Sequence, residues 1–184
     1  MRIVYEYSHL GGAEILQVRY PDIDREIREV ISEITAKRTK ISKEKTKRGK
    51  ALYSPSDMNR QFKKAFEGRG YRELRHSYKL TIPNSDFTIS GTFKQIDFVK
   101  DKVLIEVQLG KYFAMFYDIA KFQYFYNENR AEVGIEIVPC HALYREMSSG
   151  VSYGEKLIYD IEQMRRHFPA APVKVILIDV DEPN

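Results

Sequence analysis

The stretch QIDFVKDKVLIEVQLGKY, residues 95–112, restricts the fold more tightly than any other part of the chain. Val103, Ile105, Val107 and Leu109 recur at every second position, as on the packed face of a strand. Glu106 and Gln108 share the opposite face with Leu104, and Asp97 sits on the apolar run just upstream. A four-residue turn, Val99 to Lys102, would pair Phe98 with Val103 and set Asp97 against Leu104. Asp97, Glu106 and Gln108 then lie on one face, with the two acids diagonal neighbours roughly 7 Å apart at the backbone. Like charges that close on a half-buried face need a cation between them, or a proton on one. A hard divalent ion such as Mg²⁺, with oxygen ligands at about 2.0–2.1 Å and several retained waters, suits the pair and leaves room for a phosphate oxygen and a water. The alternative is a surface hairpin whose acids pair with Lys100, Lys102 or Lys111. The apolar setting of Glu106 in VLIEVQL weighs against it.

The rest of the chain supplies a sheet around this hairpin. Residues 1–8 read as a short strand. PDIDREIREVISEITAK is an amphipathic helix opened by Pro21 and Asp22, with Ile23, Ile27, Val30, Ile31 and Ile34 on one stripe. SPSDMNRQFKKAFEGRG is a second helix, opened near Ser54–Pro55 and stopped by Gly68 and Gly70. YRELRHSYKLTI is strand-like and PNSDFTISGTFK turn-rich. In the aromatic helix YFAMFYDIAKFQYFYNENR, helical spacing puts Phe113, Phe116, Tyr117, Ala120 and Tyr124 toward the core. Phe122, Phe125 and Tyr126 then point elsewhere, toward a self-association surface. VGIEIVP is a strand ended by Pro139, CHALYREMSSGVSYGEKL a loop, GEKLIYDIEQMRRHF a third amphipathic helix and PVKVILIDV a last buried strand. This order predicts an α/β fold, a central mixed β-sheet flanked by helices on both faces, in a single domain over residues 1–184.

The net charge of +4 is unevenly spread. Residues 37–50, KRTKISKEKTKRGK, hold eight basic residues and one acid, a local net of +7 that leaves −3 for the remainder. Such a basic arm suits a polyanion, because each neutralised phosphate releases counterions; the alternative is a solvated loop. The single cysteine, Cys140, excludes an intramolecular disulfide framework. No apolar run approaches the ~18 residues of a membrane span, and MRIVYEYSHLGG lacks the pattern of a secretory signal. The expectation is a cytoplasmic protein with no membrane partner. His9, His76, His141 and His167 show no metal-ligand spacing, and Cys140, beside His141, reads as a structural thiol at a strand end.

IDFVKDKVLIEVQLGKY resembles the catalytic hairpin of type II restriction endonucleases of the BglII/BstYI group, within the PD-(D/E)XK nuclease superfamily. YSHLGG, SKEKTKRGKALYSP, VGIEIVP, EMSSGVSYGE and FPAAP resemble the same group in the same order, with residues 80–94 matching poorly. The resemblance implies a restriction-endonuclease-like fold and Mg²⁺-dependent hydrolysis of duplex DNA, leaving 5′-phosphate and 3′-hydroxyl ends. It also implies a short palindromic site, with GATC as a candidate core, read by a homodimer whose twofold axis matches the palindrome. Asp97 and Glu106 become the metal-binding carboxylates, and Gln108 takes the catalytic position usually held by lysine. Glutamine can donate to a phosphate or orient a water but offers neither a charge nor a base, so water activation falls to the metal.

Glu73, in YRELRHSY, is a candidate third acid; its alternative is a surface charge between Arg72 and Arg75. For DNA contact, Gly110 allows close backbone approach and Lys111 can donate to guanine acceptors in the major groove. Ser148 and Ser149, which taken alone read as a plain turn, become by the resemblance a second contact loop, and Lys45, Lys47, Arg48 and Lys50 hold phosphates. Competing readings are a nuclease of the same superfamily with a repair or modification-dependent role, and a non-catalytic DNA-binding module. An intact Asp97–Glu106 pair argues against the module.

Overall fold

Three apolar runs with almost no polar interruption, VLIEV, VGIEIVP and VKVILID, demand burial on both faces, as parallel central strands do. In the computed structural model, which describes residues 1–45 and 47–181, they form strands of this kind in the middle of a six-stranded sheet. Along the chain run β1 (Arg2–His9), α1 (Gly12–Arg19), α2 (Pro21–Glu33), β2 (Arg38–Ile41), β3 (Ala51–Tyr53), α3 (Pro55–Gly68) and β4 (Arg72–Thr81). There follow β5 (Thr88–Lys100), β6 (Val103–Val107), α4 (Tyr112–Asn127), β7 (Val133–Pro139), α5 (His141–Arg145), α6 (Gly154–Met164) and β8 (Val173–Asp179). The sheet order is β1-β8-β7-β6-β5-β4. β6, β7 and β8 are parallel, while β1 and the β4–β5 ribbon join antiparallel at either side.

The two sheet faces differ in kind. Phe98, Ile105 and Ile135 share one face with Lys174. α2 and α3 cover it: Phe66 packs on Phe98 at 4.8 Å between ring centroids, and the buried Lys174 amine lies 2.8 Å from Asp24 and 2.7 Å from Glu6. The other face carries Glu106, Gly134, Glu136 and Val138 beneath α4 and α6. A β-carbon on Gly134 would lie 2.3 Å from the Phe122 ring, and one on Gly154 2.4 Å from Val138. Helices therefore press close to the strands where these glycines stand.

The mixed sheet with helices on both faces agrees with the expectation from sequence, while several details differ. The hairpin turn has two residues, Asp101 and Lys102, and Phe98 pairs with Ile105 rather than Val103. Asp101 adopts a left-handed φ of 53°, which Asp tolerates better than most residues. The shift of two leaves every side chain on its expected face. In α4 the buried face is Met115, Asp118, Ile119, Phe122 and Phe125, whereas Phe113 is 69 % exposed and Tyr117 is exposed. Aromatics on all sides of this helix give little periodic contrast, and the acid in the true buried stripe conceals it. Part of the turn-rich 83–94 segment belongs to β5, which runs out from the sheet edge with exposed Ile89 and Phe93. α1 and α5 are additions to the expected elements; α1 buries only Gly12 and Leu16, too little for a periodic signal.

The basic arm, expected as a phosphate-binding or solvated loop, is framed by the antiparallel pair β2–β3. Thr46 lies outside the described residues.

Gly12 shows how tightly α1 meets β8: a β-carbon there would sit 2.4 Å from the Val173 carbonyl carbon and oxygen. Gly12→Ala is expected to cost about 1–3 kcal/mol in urea unfolding. Gly68→Ala, with no atom within 4 Å of the added carbon, should be neutral or slightly stabilising.

Candidate active site

The antiparallel ladder between β5 and β6 ends at Phe98↔Ile105. Asp97 and Glu106, next in line, sit where the two strands part. Asp97 is exposed, whereas Glu106 is only 3 % exposed, between apolar neighbours that bury the whole of β6. The two charges feel each other, Asp97 adding to the forces that raise the Glu106 pKa.

Around Glu106 the α4 side of the sheet holds a charged network that the sequence reading missed. Lys121 Nζ donates to Glu106 Oε1 and lies 2.8 Å from Asp118 Oδ1. Gln108 Nε2 donates to the other Asp118 oxygen at 3.1 Å. Glu136 stands beside Glu106 in the parallel register, wholly buried, and among the described residues neither of its carboxylate oxygens has a hydrogen-bond partner. Its only sequence signal is an acid at the centre of VGIEIVP; that of Asp118 and Lys121 is a charged pair one turn apart in an otherwise aromatic helix.

Burial shifts these groups in the directions expected of a dry site. Burial, then the Asp118 carboxylate, pushes Glu106 well above the carboxylate range, with the Lys121 ammonium opposing. Asp118 is raised chiefly by burial, against the pull of Lys121 and Gln108. For Lys121, burial works against the ammonium, but Glu106 and Asp118 outweigh it and hold the charge in place. Glu136 is raised far by burial, and further by Asp118 and Glu106.

The donor set suits a hard divalent cation: carboxylate oxygens from two parting strands, and more acid than the single ammonium can neutralise. Among the described residues no three His, Cys, Asp or Glu side chains converge as a ready metal cluster; the Lys121 amine stands among the acids instead. Gly110 serves the same locality, since a β-carbon there would fall 2.5 Å from Gln108 Oε1. Glu73 is exposed, accepts from Gln95 Nε2 at 2.8 Å, and lines a cleft of ≈ 170 Å³ together with Asp97, Lys63 and Glu67.

The residues expected to touch DNA lie along one connected path. Ser152 N–H donates to the Gly110 carbonyl at 2.8 Å, tying the 148–152 loop to the chain just beyond β6. Lys111 is exposed at the start of α4. Ser149 N–H donates to Glu44 at 3.1 Å, so the same loop also holds the basic arm. Lys47 is not free: its amine donates to the carbonyls of Arg145 and Met147 at 3.0 and 2.7 Å. Lys45, Arg48 and Lys50 are exposed. Cys140 is a buried free thiol whose sulfur accepts from Leu143 N–H at the start of α5.

A mixed sheet between helical layers, with an acid-bearing hairpin at the seam of its parallel and antiparallel parts, is the architecture of the restriction endonucleases. The family model described as restriction endonuclease BglII/BglIII matches residues 4–178, and the chain belongs to that family. Two solved structures share the fold. That of BglII complexed with a DNA 16-mer has a TM-score of 0.76 and 20% identity, covering 100% of this chain and 81% of BglII. That of free BglII has a TM-score of 0.68 and 18% identity, with 100% and 82% covered. No curated protein sequence matches significantly. The protein is a type II restriction endonuclease.

Glu136 also gives a pH-dependent test. Its folded pKa is raised, so its contribution to stability is fully present below the unfolded carboxylate range and is lost as pH rises toward the folded value. Glu136→Met, which removes both the titration and the unpaired oxygens, should raise the melting temperature. The margin over the parent should be wider at pH 9 than at pH 6 in scanning calorimetry.

Proposed function

We propose that this restriction endonuclease hydrolyses phosphodiester bonds in duplex DNA at a short palindrome, for which GATC is the candidate core, using Mg²⁺ held by Asp97 and Glu106. The observation that carries this reading is the buried Glu106 at the parting of β5 and β6, with Asp97 beside it and Gln108 next on its face. That BglII was solved on a DNA 16-mer supports duplex DNA as the partner. When bound, the divalent ion supplies charge neutralisation at the phosphate and lowers the pKa of water toward neutrality.

The chain's own residues do the positioning. Gln108 gives its amide to Asp118, which leaves its carbonyl oxygen as the free end, able to accept a hydrogen bond from a water. It carries no charge and cannot take the proton. Glu73, on the cleft that Asp97 lines, is the third acid of this scheme. The products carry 5′-phosphate and 3′-hydroxyl ends. Gly110, Lys111, Ser148 and Ser149 approach the bases, while Lys45, Arg48 and Lys50 hold phosphates and set affinity rather than specificity. Lys47 anchors the arm.

A homodimer would place two such sites across the palindrome, and exposed Phe113 and Tyr117 on α4 offer apolar surface for it. Residues 1–184 act as one catalytic and recognition domain with the 37–50 arm inside it. The working compartment is the cytoplasm; among the described residues no helix is long and apolar enough to cross a membrane.

Incubation of phage DNA with the protein and Mg²⁺ should yield discrete, reproducible fragments; a random smear would point to a general nuclease. Asp97→Asn or Glu106→Gln should lower cleavage by roughly a thousandfold, a few kcal/mol of barrier, with gel-shift affinity nearly unchanged. A variant that cuts at the parental rate would remove its residue from the site. Lys45→Ala and Arg48→Ala should each reduce the slope of log affinity against log salt by about 0.9 for every phosphate left without its cation, and an unchanged slope would return the arm to a purely structural role.

A further inference from the structure

We infer that the Lys121 ammonium competes with a divalent ion for Glu106, so that Glu106 would have to turn from Lys121, which stays on Asp118, for such an ion to be held. The inference rests on Asp97 and Glu106 being the metal-binding pair, and goes beyond it by naming what must move before the ion can bind.

The geometry supports an exchange rather than a fixed ion pair. Lys121 reaches Glu106 across the interface between α4 and β6, while its bond to Asp118 lies within one turn of its own helix. That helix is seated by Phe122 against Gly134, so Asp118 and Lys121 share one rigid support. Asp118 is also held from its other oxygen by Gln108. When Glu106 turns to an ion, the amine therefore keeps a buried partner, and Asp118 keeps both of its own.

The charges point the same way. Glu106 and Asp118 share the one Lys121 amine, and Asp97 adjoins Glu106 where β5 and β6 part, so three carboxyl groups gather where one amine serves two of them. A second, independent observation is Glu136: wholly buried, beside Glu106 in register, with both oxygens unpartnered among the described residues. This face of the sheet thus carries a further buried acid that Lys121 does not reach. The lysine keeps Glu106 aligned, and by competing for the same oxygen it lowers the affinity of the site for a divalent ion.

Mn²⁺ alone, without DNA, is the probe. Titration calorimetry at pH 8 should find Mn²⁺ bound roughly tenfold or more tightly by Lys121→Met than by the parent, the scale of one unit-charge repulsion removed at short range. Adding Asp97→Asn should abolish the gain. Equal affinities in parent and Lys121→Met would overturn the exchange and leave the metal site standing. A gain that survives Asp97→Asn would place the ion elsewhere and overturn it too. Absence of Mn²⁺ binding by either protein would sink the site assignment and the inference together. A measurement on the parent protein covers the case in which Lys121→Met does not fold. Acylation of the Lys121 amine, followed by mass spectrometry, should proceed severalfold faster at saturating Mn²⁺, and unchanged labelling with the ion bound would overturn the proposal.

Discussion

Charge in a dry place is the constraint around which this molecule is organised. β6 and β7 run between two helical layers, where an ionised carboxylate is tolerated only if something answers it. On the α4 face, Glu106 is answered by Lys121, and Lys121 by Asp118 as well; Glu136, with no answering group among the described residues, is shifted toward its protonated form. On the opposite face, Lys174 is buried but saturated by Glu6 and Asp24, which bind β1, α2 and β8 to one another. One face thus uses its buried charge for cohesion. The other gathers its acids where β5 and β6 part, with Asp97 exposed and Glu106 buried beside it.

Much of this plan was legible in the residues. The alternation in VLIEVQL put Glu106 and Gln108 on one face, and the run VGIEIVP became a strand with the expected ends. Misplacing the turn by two residues did no harm, because a shift of two preserves the face of every side chain. What was not legible depended on tertiary partners. Asp118 and Lys121 look like solvent-facing charges until α4 is laid on the sheet. Phe122 and Phe125 could be identified as core only once the missing side chain of Gly134 showed which side of the helix lies against the strands. Glu136 passes for a strand residue like any other until its neighbour across the ladder turns out to be Glu106.

The basic arm illustrates the limit of composition. Its eight cations look equivalent in sequence, yet they divide by partner. Arg38 pairs with Glu146 at 2.7 Å and Lys47 donates to the carbonyls of Arg145, at the end of α5, and Met147, so these serve folding. Lys45, Arg48 and Lys50 stay on the surface, and they are the ones proposed to meet a polyanion. A count of positive charges overstates the number that can meet phosphate, because part of the charge fastens the arm to the loop beside it.

The hydrogen bond from Ser152 N–H to the Gly110 carbonyl has a bearing on fidelity. It joins the loop proposed to read bases to the backbone two residues beyond Gln108, where there is no side chain to absorb a displacement. A wrong base that disturbs the loop would then be felt as a misplaced glutamine rather than as a weaker grip. Discrimination between sites would appear in the speed of cutting more than in the time spent bound, and near-cognate DNA could be held and released unharmed.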